Sequence, residues 1–250
     1  MMVSNWMMLY CDRPVRNVKF SRCHARDRIR YNKRDQNRFM ATSNVPQPLI
    51  TALTRVQRAA RPRGTPWYLV GGLVRDQLVA RPLTYLNVDL AVPSGALAAS
   101  REVATHLHGA WVPLDEAAGT ARVVVTVDGA RLELDVSDFR GPTLEEDLAR
   151  RDFTVNAIAV ALDDWLRTPH APGPLIDPLN GREALARREL IACFPGTFED
   201  DPVRILRAFR FVAQLRFTLD PAIHPLMSRS VAGLSRVSGE RIRDELIAIF

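Results

Sequence analysis

The residues best suited to chemistry in this sequence are carboxylates and arginines gathered in four short segments. The first is Gly71-Gly72-x-x-Arg75-Asp76, followed by Asn87-x-Asp89. An apolar run from Trp67 to Val70 precedes the glycine pair, and helical spacing over Leu73 to Ala80 follows it, with Leu73, Gln77 and Ala80 on one side. A strand, a glycine turn and a helix start bring backbone N–H groups together where they can hold phosphate. Asn87 and Asp89 lie in a second apolar strand and share a face, because strand side chains alternate. Carboxylates at both positions would build a two-metal phosphoryl-transfer site. Here one of the two is an amide.

The second segment is Glu133-Leu134-Asp135, whose two acids share a strand face. Either could add a carboxylate beside Asp89, and Mg2+ takes oxygen ligands, usually one or two carboxylates plus substrate phosphates. A solvated strand face has the same pattern. The third is Arg150-Arg151-Asp152-Phe153-Thr154-Val155-Asn156-Ala157. Arg151 could clamp a triphosphate bidentately. Asn156 both donates and accepts, as reading a ribose hydroxyl requires. A helix terminus with surface charges is the plainer account. In the fourth, Asp201, Arg204, Arg207 and Arg210 recur every three residues, a slowly drifting stripe on one helix. An acceptor beside a donor can imitate a base's pairing edge; such a stripe also serves as a salt-bridged solvent face.

The elements that must carry these segments follow from periodicity. Leu49 to Ala60 has the spacing of an amphipathic helix. Gly95 to His108 reads as a second helix and Trp111 to Leu114 as a short strand. Arg122 to Val127 and Arg131 to Val136 are strands joined at Asp128-Gly129. The order α-β-α-β-α-β-β-β predicts an α/β or α+β domain with a mixed sheet. Thr143, Glu145 and Glu146 mark a helix start. Ile176-Asp177-Pro178 and Asn180-Gly181 mark turns. From Asp201 onward the pattern reads as all helix, with Pro202 in a first turn, an apolar side of Val203, Leu206, Phe209, Phe211 and Val212, and a last helix started by Ser238. A domain boundary is expected near residues 165–180.

The net charge of +6 is local. Residues 1–40 hold ten basic and three acidic groups; the remainder holds 24 and 25. The high pI therefore belongs to a tail expected to be disordered, with Met40 the preferred start, and is no argument for nucleic-acid binding by the folded part. Cys11, Cys23 and Cys193 form no disulfide framework and fit a reduced, cytoplasmic compartment. No apolar run is long enough to span a membrane.

In this order the segments resemble the class II nucleotidyltransferases: bacterial CCA-adding tRNA nucleotidyltransferases and their poly(A) polymerase relatives. GGLVRD resembles the first family motif, and RRDFTVNA matches the second nearly letter for letter. LIDPLNG resembles the third, EDDPVRILRAFRF the fourth and SGERIRDEL the fifth. The resemblance covers about residues 50–250. After the basic tail over 1–45 that the composition marks, it implies an α+β fold: a head with a mixed sheet and flanking helices over 46–175, and an all-α neck over 176–250 that binds RNA and nucleotide. It implies Mg2+-dependent transfer of CMP and AMP from CTP and ATP onto a tRNA or other RNA 3′ end, without a template.

Carried over by position, Gly72 and Arg75 would contact the nucleotide phosphates, with Gly71 and Asp76 also in the nucleotide-binding site. Asp89 would hold Mg2+, with Asn87 where the family has its first metal-binding Asp and Asp135 as the third carboxylate. Arg151 would grip the triphosphate and Asn156 would lie by the sugar. Asp201 and Arg204 would pair with the base, with Arg207 and Arg210 beside them. Two departures accompany the match. The amide at 87 predicts impaired activity, by roughly a hundredfold or more if nothing compensates, and the link PLTYLN at 82–87 is longer than the family's. The ending at Phe250, where the family continues into body and tail domains, predicts a fragment, a split enzyme or a decayed gene, with a separate C-terminal body domain as a further partner. The rival expectations are a poly(A) polymerase and a non-catalytic nucleotide- or RNA-binding remnant.

Overall fold

The computed structural model describes residues 45–83, 86–171 and 173–249. The basic tail, up to residue 44, and Thr84-Tyr85 of the long link lie outside the described residues.

Helix α1 (Gln47–Ala60) buries Leu49, Ala52, Leu53, Val56, Ala59 and Ala60, the face its periodicity predicts. Strand β1 (Tyr68–Val70) runs through Gly71 into α2 (Gly72–Leu78). Gln77 does lie inward, satisfied by the Trp165 indole N–H at 2.7 Å and by the Pro169 carbonyl at 2.9 Å. Ala80 falls beyond the helix, in a left-handed conformation at φ 52°. Strand β2 (Asn87–Val92), helix α3 (Ala96–Leu107) and strands β3 (Ala110–Asp115), β4 (Thr120–Val127) and β5 (Ala130–Asp138) follow. The expected order of alternation is therefore the observed one.

The sheet is mixed. Its seven strands run β3-β4-β5-β2-β1-β6-β7, with β6 at Ala159–Ala161 and β7 at Leu175–Ile176. Only the central β2–β5 pair is parallel. That pairing sets Asp89 beside Asp135 and Asn87 beside Glu133. Alternation then divides the faces. Val88, Leu90, Val92, Val123, Val125, Leu132, Leu134 and Val136 turn to the main core, against α1 and α3. Asn87, Asp89, Arg122 and Asp135 turn to the other face.

That other face is covered only in part. Helix α4 (Leu144–Ala149) packs Leu144 and Leu148 against Val70, Ala91, Ala157 and Ala159. Thr143 caps it as predicted, accepting from the Glu146 N–H at 3.2 Å. A 3-10 turn (Thr154–Asn156), α5 (Leu162–Arg167) and α6 (Gly181–Arg187) come next. Gly181 is required here: a Cβ would collide with the Thr154 carbonyl.

The region after Asp201 is not wholly helical. Strand β8 (Glu189–Leu190) pairs in parallel with β9 (Thr218–Leu219), a two-residue ladder too short to show as alternation. Between them lie α7 (Thr197–Asp200) and α8 (Arg204–Leu215). Pro202 lies just before α8. The buried face of α8 is Ile205, Ala208 and Phe211, while Phe209 is 48% exposed. Phe209 is four residues from Ile205 but points away because Ala208 and Phe211 already fill the inward arc. Phe153 packs edge-on to Phe211, centroids 5.8 Å apart, and also meets Phe198. Each such buried ring contributes roughly 1.5–3 kcal/mol. Helices α9 (Ile223–Ser230) and α10 (Gly239–Ile247) complete the described chain. Ser238 precedes α10 but its side chain makes no capping bond.

Candidate active site

A cleft of about 550 Å³ opens on the partly covered face. It is lined by Gly71, Gly72, Arg75, Asp76, Asn87, Asp89, Arg151, Asn156, Asp201, Arg204, Arg207 and Arg210. Of the candidate residues singled out from the sequence, Glu133 and Asp135 lie outside this lining. Arg81, Arg140, Asp152, Phe211, Gln214 and Arg241 were not singled out as site residues and also line it. Eight arginines face four aspartates there, so the cleft suits a polyanion.

The floor is where β1 and β2 pair. Val70 is the register partner of Asp89, and the chain leaves Val70 through Gly71 at φ 72° and ψ −133°. A Cβ at 71 would lie 2.7 Å from Asp89 Oδ2. Only glycine permits both this backbone and this approach. The Asp89 carboxylate makes no hydrogen bond or ion pair among the described residues. Burial pushes its carboxyl above the usual aspartate value, against the pull of Arg151, with Asp135 pushing further.

Asp135 is held elsewhere. Arg122, directly opposite on β4, donates Nε to Oδ1 at 2.7 Å and Nη2 to Oδ2 at 2.8 Å, and reaches Glu133 Oε2 at 2.7 Å with Nη1. Among the described residues no three His, Cys, Asp or Glu side chains converge as a metal cage. The free, electrostatically strained carboxylate of Asp89 does fit one Mg2+, with the Asn87 amide oxygen and substrate oxygens as further donors and Asp135 held in reserve by Arg122.

One wall is a continuous polar chain. Arg75 Nε donates to Asp76 Oδ1 at 2.8 Å and Arg75 Nη1 to Asn156 Oδ1 at 2.7 Å. Asn156 Nδ2 donates to Asp152 Oδ1 at 3.0 Å, which also accepts from the Phe153 N–H. Arg207 Nε lies 2.8 Å from Asp152 Oδ2, an ion pair not aligned as a hydrogen bond. Burial works against the Asp152 carboxylate, yet Arg207 and these hydrogen bonds hold its carboxyl below the ordinary value. Arg75 is thus buried and largely committed to its neighbours. The Phe211 ring lies under it at 5.1 Å and under Arg210 at 4.4 Å.

Arg151 also lines the cleft, its Nη2 bonded to the buried Asp147 at 2.8 Å. Arg204 donates to the carbonyls of Thr197 and Arg150. Asp201 accepts from Arg241 Nη2 at 2.7 Å, and Arg210 Nε pairs with Glu245 at 2.6 Å. Helix α10 therefore grips the stripe at two points. Asp147 was legible as the partner four residues before Arg151; Arg140 and Arg241 had no local spacing to reveal them.

A mixed sheet carrying a glycine turn beside a strand carboxylate, with flanking helices, defines a nucleotidyltransferase head. Residues 67–191 match the Poly A polymerase head domain, and the chain belongs to that family. It is 41% identical over 212 residues to the CC-adding tRNA nucleotidyltransferase of Geobacter sulfurreducens, covering 84% of this chain and 45% of that protein. Among solved structures it resembles the Thermotoga maritima CCA-adding enzyme complexed with tRNA, at TM-score 0.68 and 31% identity, over 85% of this chain and 49% of that one. It also resembles a CCA-adding enzyme in complex with CTP, at TM-score 0.66 and 31% identity, over 82% of this chain and 48% of that one. The chain spans about half the length of the proteins it matches. Among the described residues no helix is long and apolar enough to cross a membrane.

Proposed function

We propose that this chain is the nucleotide-binding and catalytic part of a tRNA nucleotidyltransferase that adds CMP, AMP or both, from CTP and ATP, to an RNA 3′ end. The observation that carries this reading is the convergence of the strand carboxylate Asp89, the glycine turn at 71–72 and the arginine stripe of α8 on one cleft. The relatives named above support RNA 3′-end addition over a bare nucleotide-binding remnant. The same division of labour applies as in the expected head over 46–175 and neck over 176–250.

The backbone N–H groups at Gly71 and Gly72 and the side chain of Arg151 bind the triphosphate. Asn156, its amide fixed by Arg75 and Asp152, presents a set orientation to the ribose. Asp201 and Arg204 offer an acceptor and donors to the base, and Arg207 and Arg210 shape the helix face beside them. Asp89, Asn87 and, once released by Arg122, Asp135 would hold Mg2+, which when bound supplies charge to offset that building on the transferring phosphate. The attacking group is the RNA 3′ hydroxyl, pyrophosphate leaves, and the residues act chiefly by holding both reactants in line. Conditions are those of a reduced, cytoplasmic protein.

The test is incorporation of labelled CTP and ATP into a tRNA lacking its terminal CCA, comparing the parent with Asn87→Asp. Incorporation by either supports the reading, and a gain of roughly a hundredfold in the variant assigns the deficit to the missing carboxylate. A folded protein that incorporates nothing in either form, whether or not it still binds nucleotide, would overturn it. Arg204→Ala should lose the preference for CTP over UTP while triphosphate binding partly survives.

A further inference from the structure

Two arginines in the cleft converge on one backbone oxygen. Arg140 Nη1 and Arg204 Nη2 both donate to the carbonyl of Arg150, at 3.2 and 3.5 Å. Neither forms an ion pair with a carboxylate among the described residues. The nearest acids are already taken: Asp147 by Arg151 and Asp152 by Arg207. Asp147 also accepts from the Arg140 backbone N–H, so Arg140 and Arg151 hang from one buried carboxylate. Three guanidiniums thus crowd a cleft wall with too little negative charge. Burial first, and then the charges of Arg151 and Arg204 against the pull of Asp147, hold the Arg140 guanidinium below the ordinary arginine value.

The carbonyl of Arg150 ends α4, and a cation at a helix C-terminus is ordinary capping. Capping asks for one donor and gives no reason for a second unpaired guanidinium, nor for both to line the cleft. An arginine fork matches phosphate geometry, and its charge-assisted hydrogen bonds are the strong ones. We propose that Arg140, with Arg151, forms a seat for a phosphate group, next to the base-reading Arg204. Arg140 is then a binding residue for the substrate's phosphate, not a structural charge. The inference rests on the proposed function for the identity of the substrate, though not for the binding itself. The phosphate comes either from the nucleotide's triphosphate or from the last phosphodiester of the RNA primer.

The experiment compares the parent with Arg140→Ala and Arg140→Lys. Calorimetry measures tripolyphosphate binding and, separately, binding of a short RNA with a free 3′ hydroxyl. Steady-state kinetics give KM for CTP and for primer, and a thermal melt reports folding. Arg140→Ala should weaken one probe about tenfold or more, with Arg140→Lys recovering part of it and the melting point little changed. Loss toward tripolyphosphate with a raised KM for CTP identifies the nucleotide tail; loss toward RNA with a raised KM for primer identifies the primer. Arg140-dependent tripolyphosphate binding without any nucleotide incorporation would keep the seat and overturn the proposed function. Unchanged binding of both probes, or a shift confined to base preference or melting point, overturns the seat while leaving the function standing.

Discussion

Arg122 lies directly opposite Asp135 across the β4–β5 ladder and holds its carboxylate with two hydrogen bonds, at 2.7 and 2.8 Å. Asp135 in turn stands beside Asp89 in the parallel β2–β5 register. An internal cation therefore occupies the acid best placed to assist Asp89.

Replacing that cation should expose the competition. Arg122→Met is expected to tighten Mn2+ binding several-fold, because Asp135 becomes available and like-charge repulsion from Asp89 favours a shared divalent ion. It should also lower stability by about 1–2 kcal/mol, since Asp135 and Glu133 lose their partner. Titration calorimetry and urea unfolding read the two effects; weaker Mn2+ binding would show that Arg122 supports the site instead.

Gly71 carries both a left-handed backbone and the approach of Asp89. Gly71→Ala should cost about 1–3 kcal/mol in unfolding free energy from strain. It should also abolish Mg2+-stimulated CTP binding by displacing Asp89. Gly95→Ala provides the comparison: it too has a positive φ, but a Cβ there would meet nothing within 4 Å. Retained Mg2+-stimulated binding in Gly71→Ala would remove Asp89 from the metal role.

Asp152 gives a pH-dependent prediction. Its folded carboxyl lies below the usual value despite burial, because of Arg207, Asn156 and the Phe153 N–H. Its ionised form therefore adds stability above the ordinary aspartate range, and that contribution is lost as pH falls through the depressed value. Asp152→Asn should be less stable than the parent by about 1–3 kcal/mol at neutral pH. The gap should shrink toward about pH 3. Urea unfolding across that range is the check; a constant gap would mean that packing, not charge, carries the effect.

Arg241 covers Asp201, the acceptor assigned to the base edge, through an exposed contact of 2.7 Å. Arg241→Ala should leave unfolding free energy within about 0.5 kcal/mol, as exposed pairs do. It should lower KM for CTP several-fold by freeing that acceptor. Kinetics with CTP and UTP would show it, and a raised KM would make Arg241 a partner of the base instead of its competitor.

Much of this protein is legible without coordinates. The periods of 3.6 and 2 mark α1, α3 and the β4–β5 hairpin because each element buries one face, and the glycine pair marks a turn whose first position, Gly71, tolerates no other residue. The four segments were separable as candidates because each holds its reactive side chains within a few positions. What sequence could not supply is the meeting of groups far apart in the chain. Asp89 faces Asp135 only because β2 and β5 pair in parallel; Arg75 bonds Asn156 across 81 positions. Arg140 and Arg204 share one carbonyl only because α4 and α8 close on the same cleft. Those relationships depend on strand register and helix packing, which the whole core decides. They brace Arg75 between Asp76 and Asn156 in the cleft lining, set Arg122 on Asp135, and leave the Asp89 carboxylate without a hydrogen bond or ion pair among the described residues.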